Sequence, residues 1–219
     1  MGNAMRVMGP TAALAGVPAG LQAQGLWAGR RQLFVRFAAE AETATMYTAQ
    51  ALKTEVARLS SRAPFHSVSL AGRDPLANTD FLAAILGEDG LPLPAMLDVD
   101  GQRPQELGTI VRSLALVQVT LDGGISEPAA ERASETIRIA AEAGVAHAIV
   151  LCADERTSDG QLLRIVEQAH GASADTAVII HPGAQQPVDR RWVTLVERAS
   201  AVHPDVRLVL RIPPPIGLK

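Results

Sequence analysis

The segment LVQVTLDGGISEPAAERASETIRIAAEAGVAHAIVLCA, residues 116–153, contains the pattern that decides the fold. It begins and ends with apolar runs that have the length and composition of buried strands. Between these runs, Ile137, Ala140 and Ala141 recur at helical spacing, and Gly144 follows as a helix stop. Two apolar strands joined by a helix indicate a parallel sheet that helices cover.

The same alternation extends over most of the chain. The runs that predict strands are QLFVRFA (32–38), HSVSLAG (66–72), PAMLDVD (94–100), LVQVTLD (116–122), AHAIVLCA (146–153), TAVIIHP (176–182) and VRLVLRI (206–212). A closed barrel of this kind needs eight strands, so the sequence predicts an α/β fold, a partial (β/α) TIM-like barrel of six to seven mostly parallel strands. An open doubly wound sheet is the other architecture that fits. Both bind ligands at the carboxyl ends of their strands.

The composition excludes several classes of function. The net charge is −3, aromatic residues make up 3% of the chain, and Lys and Arg form no dense run, so we expect no nucleic-acid partner. No apolar run approaches the roughly 20 residues of a membrane span, so we expect no membrane partner. Cys152 is the sole cysteine, which fits a cytoplasmic protein, and we interpret it as a small core residue. Residues 1–20 predict a loosely ordered N-terminus, and residues 21–219 a single domain.

Three stretches carry a resemblance to a known family. QAQGLWAGRRQLFVRFA (22–38) resembles the Q-G-E-G motif and first strand of 7-carboxy-7-deazaguanine synthases, and HSVSLAGRDPL (66–76) resembles their second strand and its G-G-E-P-L motif. LPAMLDVDG (93–101) resembles their third strand. These small radical S-adenosylmethionine (SAM) enzymes make a precursor of the modified nucleoside queuosine, using a four-iron, four-sulfur cluster, SAM and Mg²⁺. The resemblance implies a partial barrel of the radical SAM type. It also implies SAM-site positions at Gly72, Asp74, Asp98 and Asp100.

The chain departs from that family at positions that carry its chemistry. The resemblance puts Glu40, Ala44 and Tyr47 where the family has the three cysteines of its cluster loop. Such clusters are held by cysteine thiolates, and alanine has no atom that binds iron. Arg73 stands at the second glycine of the SAM motif, where a long cationic side chain crowds and repels an ammonium group. We therefore expect no bound cofactor and no radical chemistry.

Two functional hypotheses follow from these observations. The first is a non-catalytic homologue of these synthases that acts as a binding or regulatory subunit, with an active homologue or a second copy of itself as partner. The second is a divalent-metal-dependent hydrolase or lyase built at the carboxyl ends of the strands. Its metal ligands would be Asp98, Asp100, Asp122 and His181. Asp100 and Asp122 have a further interpretation as turn caps, because each precedes a glycine in a common turn dipeptide.

Overall fold

The fold was determined from a computed structural model that describes residues 9–154, 157–183, 190–210, 212 and 217–218. The described strands are β1 (Thr11–Gly16), β2 (Ala19–Gln22), β3 (Arg31–Phe37), β4 (Thr45–Thr48), β5 (Ser67–Gly72), β6 (Ala95–Val99), β7 (Leu116–Asp122), β8 (Ala146–Ala153), β9 (Ala177–Pro182), β10 (Val206–Leu208) and β11 (Gly217–Leu218). The described helices are α1 (Ala49–Ser60), α2 (Thr79–Leu86), α3 (Pro104–Leu107), α4 (Glu127–Glu142), α5 (Asp159–Ala172) and α6 (Arg190–Ser200). None of these helices is long and apolar enough to cross a membrane.

Local signals in the sequence set several helix ends. Thr48 precedes α1, and its hydroxyl oxygen accepts a hydrogen bond from the Ala51 amide at 3.1 Å. Ser158 caps α5 in the same way through the Gln161 amide at 3.2 Å. Gly144 follows α4 with a φ of +72°, the left-handed conformation that commonly ends a helix.

The strands form one open sheet in the order β10-β9-β8-β7-β6-β5-β3-β1-β4, with β2 paired to β3 and to β11. The run from β3 to β10 is parallel throughout and contains all seven strands predicted from the sequence. β1 and β2 are antiparallel to β3, and β4 is antiparallel to β1. The α/β class and the mostly parallel sheet are therefore confirmed. Closure into a partial TIM-like barrel stays a prediction.

One face of the sheet, the helix face, packs against the helices. Along β7, Val117, Val119 and Leu121 belong to the main hydrophobic core, together with buried side chains from all six helices described above. Their neighbours in the strand point to the other side, because side chains alternate between the faces of a sheet. The described helices thus cover one face, whereas a doubly wound sheet has helices on both.

Residues 22–27, here called the crossing segment, pack against part of the opposite face. Leu26 and Trp27 pack on a smaller apolar cluster formed by β6, β7, β8 and β9. The Gly25 amide donates to Nε2 of His181 at 3.2 Å, and the Leu26 amide donates to Oε1 of Gln118 at 3.2 Å. These hydrogen bonds join a segment near the N-terminus to strands more than ninety residues away.

The N-terminal stretch differs from the expectation of loose order up to residue 20. Residues 11–16 form β1, which pairs with β3 and with β4, and β2 begins at Ala19. The sequence of β1, TAALAG, is rich in alanine, which has a low strand propensity, so pairing with β3 and β4 decides its conformation. Residues 1–8 lie outside the described residues.

Candidate functional site

A cavity of about 290 Å³ opens at the carboxyl ends of β3, β5, β6 and β7. Its walls are formed by Arg36, Ala71, Gly72, Arg73, Asp74, Pro75, Asp98, Val99, Asp100 and Thr120. All four SAM-site positions implied by the resemblance line this cavity. The strand order explains why, because β5 and β6 are neighbours and their carboxyl ends lie at the same edge of the sheet.

Asp98 is the buried carboxylate of the cavity and only 5% of its surface is exposed. It lies on β6 opposite Gln118 of β7, on the face away from the helices. The Thr120 hydroxyl donates a hydrogen bond of 2.7 Å to its Oδ1. A buried carboxylate is retained where hydrogen bonds compensate its loss of water, and Thr120 provides one of them.

Asp74 occupies a strained turn at the rim of the cavity. Among the described residues it is the one non-glycine residue with a positive φ, at +43°. Nε of Arg103 donates to both of its carboxylate oxygens, at 3.1 and 2.8 Å. These hydrogen bonds and the charge of Asp74 raise the pKa of Arg103 above its ordinary value. The ion pair ties the turn after β5 to the turn after β6.

Asp100 takes the role of a turn cap. Its Oδ1 accepts a hydrogen bond from the Gln102 amide at 3.0 Å, and the intervening Gly101 has a φ of +77°. This is an Asx turn, in which an Asp side chain accepts a hydrogen bond from the backbone amide two residues later. Asp100 is exposed and lines the cavity while it holds this turn.

The loop after β3 is closed by an ion pair between Arg36 and Glu42. Nη2 of Arg36 lies 3.0 Å from Oε1 of Glu42, and the Ala39 amide donates to Oε2 of the same carboxylate at 3.3 Å. Glu42 therefore shapes the segment where the resemblance places the cluster loop, and it orients Arg36 at the cavity wall.

The three positions that the resemblance aligns with cluster cysteines differ in their burial and secondary structure. Glu40 and Ala44 are exposed in the loop between β3 and β4. Tyr47 is part of β4, pairs with Ala12 of β1 and packs against the main core. Cys152 is buried in β8, with its Sγ 3.7 Å from Oε1 of Gln24. The residues present do not fit a four-iron, four-sulfur cluster, since the chain has one cysteine and it lies elsewhere in the fold.

The four ligands of the alternative metal site are not all brought into the cavity. Asp98 and Asp100 line it, whereas Asp122 ends β7 opposite Cys152, and Cys152 pairs in register with His181 of β9. Within the described ranges, no group of three or more His, Cys, Asp or Glu side chains has the arrangement needed to hold a metal ion. A metal at these four residues stays a prediction.

Arg36 and Thr120 are cavity residues that the sequence analysis did not single out. A signal for both was present, because each is a polar residue in a mostly apolar strand run and near its carboxyl end. The burial of the amides of Gln22, Gln24 and Gln118 was not predicted either, although Gln22 and Gln24 lie in the stretch that carries the resemblance. Their burial depends on the crossing segment, and no local pattern indicates that segment.

Part of the chain is similar in sequence to a known protein. No family model matches the chain. The chain is 33% identical over 98 residues to a 7-carboxy-7-deazaguanine synthase of Methanothermobacter thermautotrophicus. The match covers 38% of this chain and 38% of that protein, so well under half of the relative's length is spanned. The similarity supports a distant relationship to this radical SAM synthase.

Proposed function

We propose that this protein is a non-catalytic homologue of 7-carboxy-7-deazaguanine synthases that acts as a binding or regulatory subunit. The observation that carries the proposal is the structure around the three cluster positions. Glu40 and Ala44 are exposed loop residues, and Tyr47 is held in β4 by pairing with β1 and by contact with the main core. The sole cysteine lies in β8.

The cavity supports a retained binding role for a small polar ligand. Arg36 and Arg73 contribute guanidinium groups, and Asp98 and Asp100 contribute carboxylates, to one space of about 290 Å³. A ligand that carries both charge signs would find partners there. Arg73 stands on the cavity wall and is exposed, and we expect it to weaken SAM binding by repelling the ammonium group.

A sheet edge supports the proposed partner, an active homologue or a second copy of this chain. β4 is the last of the described strands on its side of the sheet, and its Met46 is 64% exposed. An unpaired strand edge offers main-chain donors and acceptors for another chain. Light scattering after size-exclusion chromatography, alone and with an active synthase, would measure the association. A Met46→Lys variant would weaken it if β4 is the surface used.

Anaerobic reconstitution tests the absence of radical chemistry. The protein would be incubated with iron and sulfide, beside an active 7-carboxy-7-deazaguanine synthase treated identically. We expect cluster absorbance and SAM cleavage in the active enzyme and neither in this protein. Stoichiometric iron and sulfide together with SAM cleavage in this protein would overturn the proposal.

The second candidate function, a metal-dependent hydrolase or lyase, is favoured by the shared position of Asp98 and Asp100 in the cavity. Metal analysis of the purified protein and of an Asp98→Asn variant tests it, since the amide retains the shape of the carboxylate and removes its charge. Stoichiometric metal that disappears with the substitution would support this function. A protein that binds the same metal with and without the substitution would contradict it.

A further inference from the structure

Two histidines meet at the ends of two neighbouring helices, away from the cavity. His170 lies in the last turn of α5, and His203 follows α6 after its last residue, Ser200. Their Nδ1 atoms are 3.1 Å apart, and their rings meet edge to face with centroids 5.3 Å apart. His203 is fully buried, whereas His170 is exposed to solvent.

The proton position on His203 follows from its second contact. Nε2 of His203 makes a short hydrogen bond with the carbonyl oxygen of Thr176. A carbonyl oxygen only accepts, so Nε2 carries the proton. In the neutral ring this leaves Nδ1 of His203 as an acceptor, and it accepts a hydrogen bond from the Nδ1–H of His170. A metal ion bound by both Nδ1 atoms would take the place of that proton, which leaves Nδ1 of His170 on binding.

This arrangement matches the surroundings of a metal-binding histidine. Histidines that bind metals commonly donate their other ring N–H to a backbone carbonyl, which fixes the ring and its free nitrogen. Metal–nitrogen bonds of about 2.0–2.1 Å place two nitrogens on one ion about 2.9–3.4 Å apart for angles from square to tetrahedral. The separation of 3.1 Å between the two Nδ1 atoms lies in that range.

The electrostatic setting also favours a cation. Both α5 and α6 end beside the histidine pair, and the carboxyl end of a helix carries partial negative charge. His203 is joined to the end of α6 through its own amide, which donates to the Ala199 carbonyl at 2.9 Å. Imidazole nitrogens suit zinc, copper and nickel ions.

We propose that His170 and His203 form a binding site for a divalent transition-metal ion such as Zn²⁺ or Cu²⁺. The two Nδ1 atoms are the protein ligands, and water completes the coordination on the exposed side of His170. The ion links the carboxyl end of α5 to the chain that follows α6. The site is independent of the proposed function, because it lies at neither the cavity nor the cluster positions.

Calorimetric titration of Zn²⁺ into metal-free protein without a histidine tag tests the proposal. We expect one saturable site in the wild type and affinity weakened by about tenfold or more in a His170→Gln variant. His170 is exposed and glutamine keeps a polar side chain at this position, so we expect this variant to keep the fold. His66→Gln is the matched control, because it removes a histidine elsewhere, and we expect it to bind Zn²⁺ as the wild type does.

Electron paramagnetic resonance of bound Cu²⁺ gives a second readout that a structural role alone would not change. We expect nitrogen splitting from two imidazoles in the wild type and in Asp98→Asn, and loss of that signal in His170→Gln. Absence of saturable binding in the wild type would overturn the proposal. So would equal affinity in the wild type and His170→Gln, or binding lost in Asp98→Asn.

Discussion

Gly72 has a structural reason to be glycine that is separate from any ligand. It ends β5 with a φ of +109°, and a Cβ atom there would lie 2.4 Å from the carbonyl oxygen of Phe37 on β3. Backbone atoms cannot move away as the end of a side chain can, so the two strands meet here only if position 72 has no side chain. The glycine that the sequence analysis assigned to a SAM motif is thus also required by the sheet.

A series of Gly→Ala substitutions separates the effect of a positive φ from the effect of a clash with neighbouring atoms. We expect Gly72→Ala to lower the free energy of unfolding by about 3 kcal/mol or more, because backbone strain adds to the clash. Gly144 also has a positive φ, +72°, but a Cβ added there would meet no atom within 4 Å. Gly144→Ala should therefore lower the free energy of unfolding by about 1–2 kcal/mol. Gly160→Ala in α5 meets neither obstacle and should stabilise by up to about 1 kcal/mol. Urea denaturation measures all three, and equal losses would contradict this explanation.

His66 predicts a specific dependence of stability on pH. Burial, with a smaller effect from the charge of Arg30, lowers the pKa of His66 below its ordinary value of 6.5. The unfolded chain therefore binds this proton more readily than the folded one. Stability from this residue is complete above pH 6.5, decreases as the pH falls toward the lowered pKa, and is constant below it.

Replacing His66 with glutamine tests the direction of this pH dependence of stability. We expect the free energy of unfolding to fall less between about pH 7 and about pH 5 in His66→Gln than in the wild type, because the titrating group is gone. Guanidinium denaturation at several pH values measures the difference. Curves that stay parallel over this range would show that His66 is not the cause.

Among the single elements, the strands of the parallel part of the sheet were predictable from the sequence. The strands outside that part, β1, β2, β4 and β11, were not. Strands of the type AHAIVLCA are buried on both sides and almost entirely apolar, so their composition predicts them. β1 and β4 lack that composition. Their conformation comes from pairing with each other and, for β1, also with β3. The crossing segment, residues 22–27, depends in the same way on distant partners.

The crossing segment should depend strongly on Trp27. Its ring meets the His66 ring edge to face at 4.7 Å, and it packs on the apolar cluster of the opposite face. We expect Trp27→Ala to lower stability by about 2–4 kcal/mol and to speed hydrogen exchange in residues 22–27. Trp27→Phe should cost less than half as much, and exposed Met46→Ala less than about 0.5 kcal/mol. Unchanged exchange in Trp27→Ala would show that other contacts hold the segment.

For the whole molecule, the expectation of a single domain predicts one cooperative unfolding transition. The main core contains residues from β1 through α6 without a break between two groups of elements. Tryptophan fluorescence reports on both faces, because Trp27 lies on the opposite face and Trp192 in the main core. We expect fluorescence and circular dichroism to give coincident curves in urea. Separate midpoints would indicate two units within residues 21–219.

The residues of the candidate site that lie at strand ends were predictable, because the carboxyl ends of parallel strands meet at one edge of the sheet. Asp98 and Asp100 follow from their places at the end of a predicted strand, and the structure brings both into one cavity with Gly72 and Asp74. The pairing of Asp74 with Arg103 was not predictable, because it joins two turns that are adjacent only in the folded chain. The same limit applies to the histidine pair, whose members are 33 residues apart.

The buried position of Cys152 gives the protein an internal reporter of its own motion. Its thiol lies beneath the crossing segment, with Sγ 3.7 Å from Oε1 of Gln24, and the chain has no other cysteine to react. Cys152 is 8% exposed, so we expect a thiol reagent to label the native protein slowly and to label it faster when that segment lifts away. The labelling rate, compared with that of an exposed thiol, therefore gives the free energy of opening around Cys152 without any engineered probe.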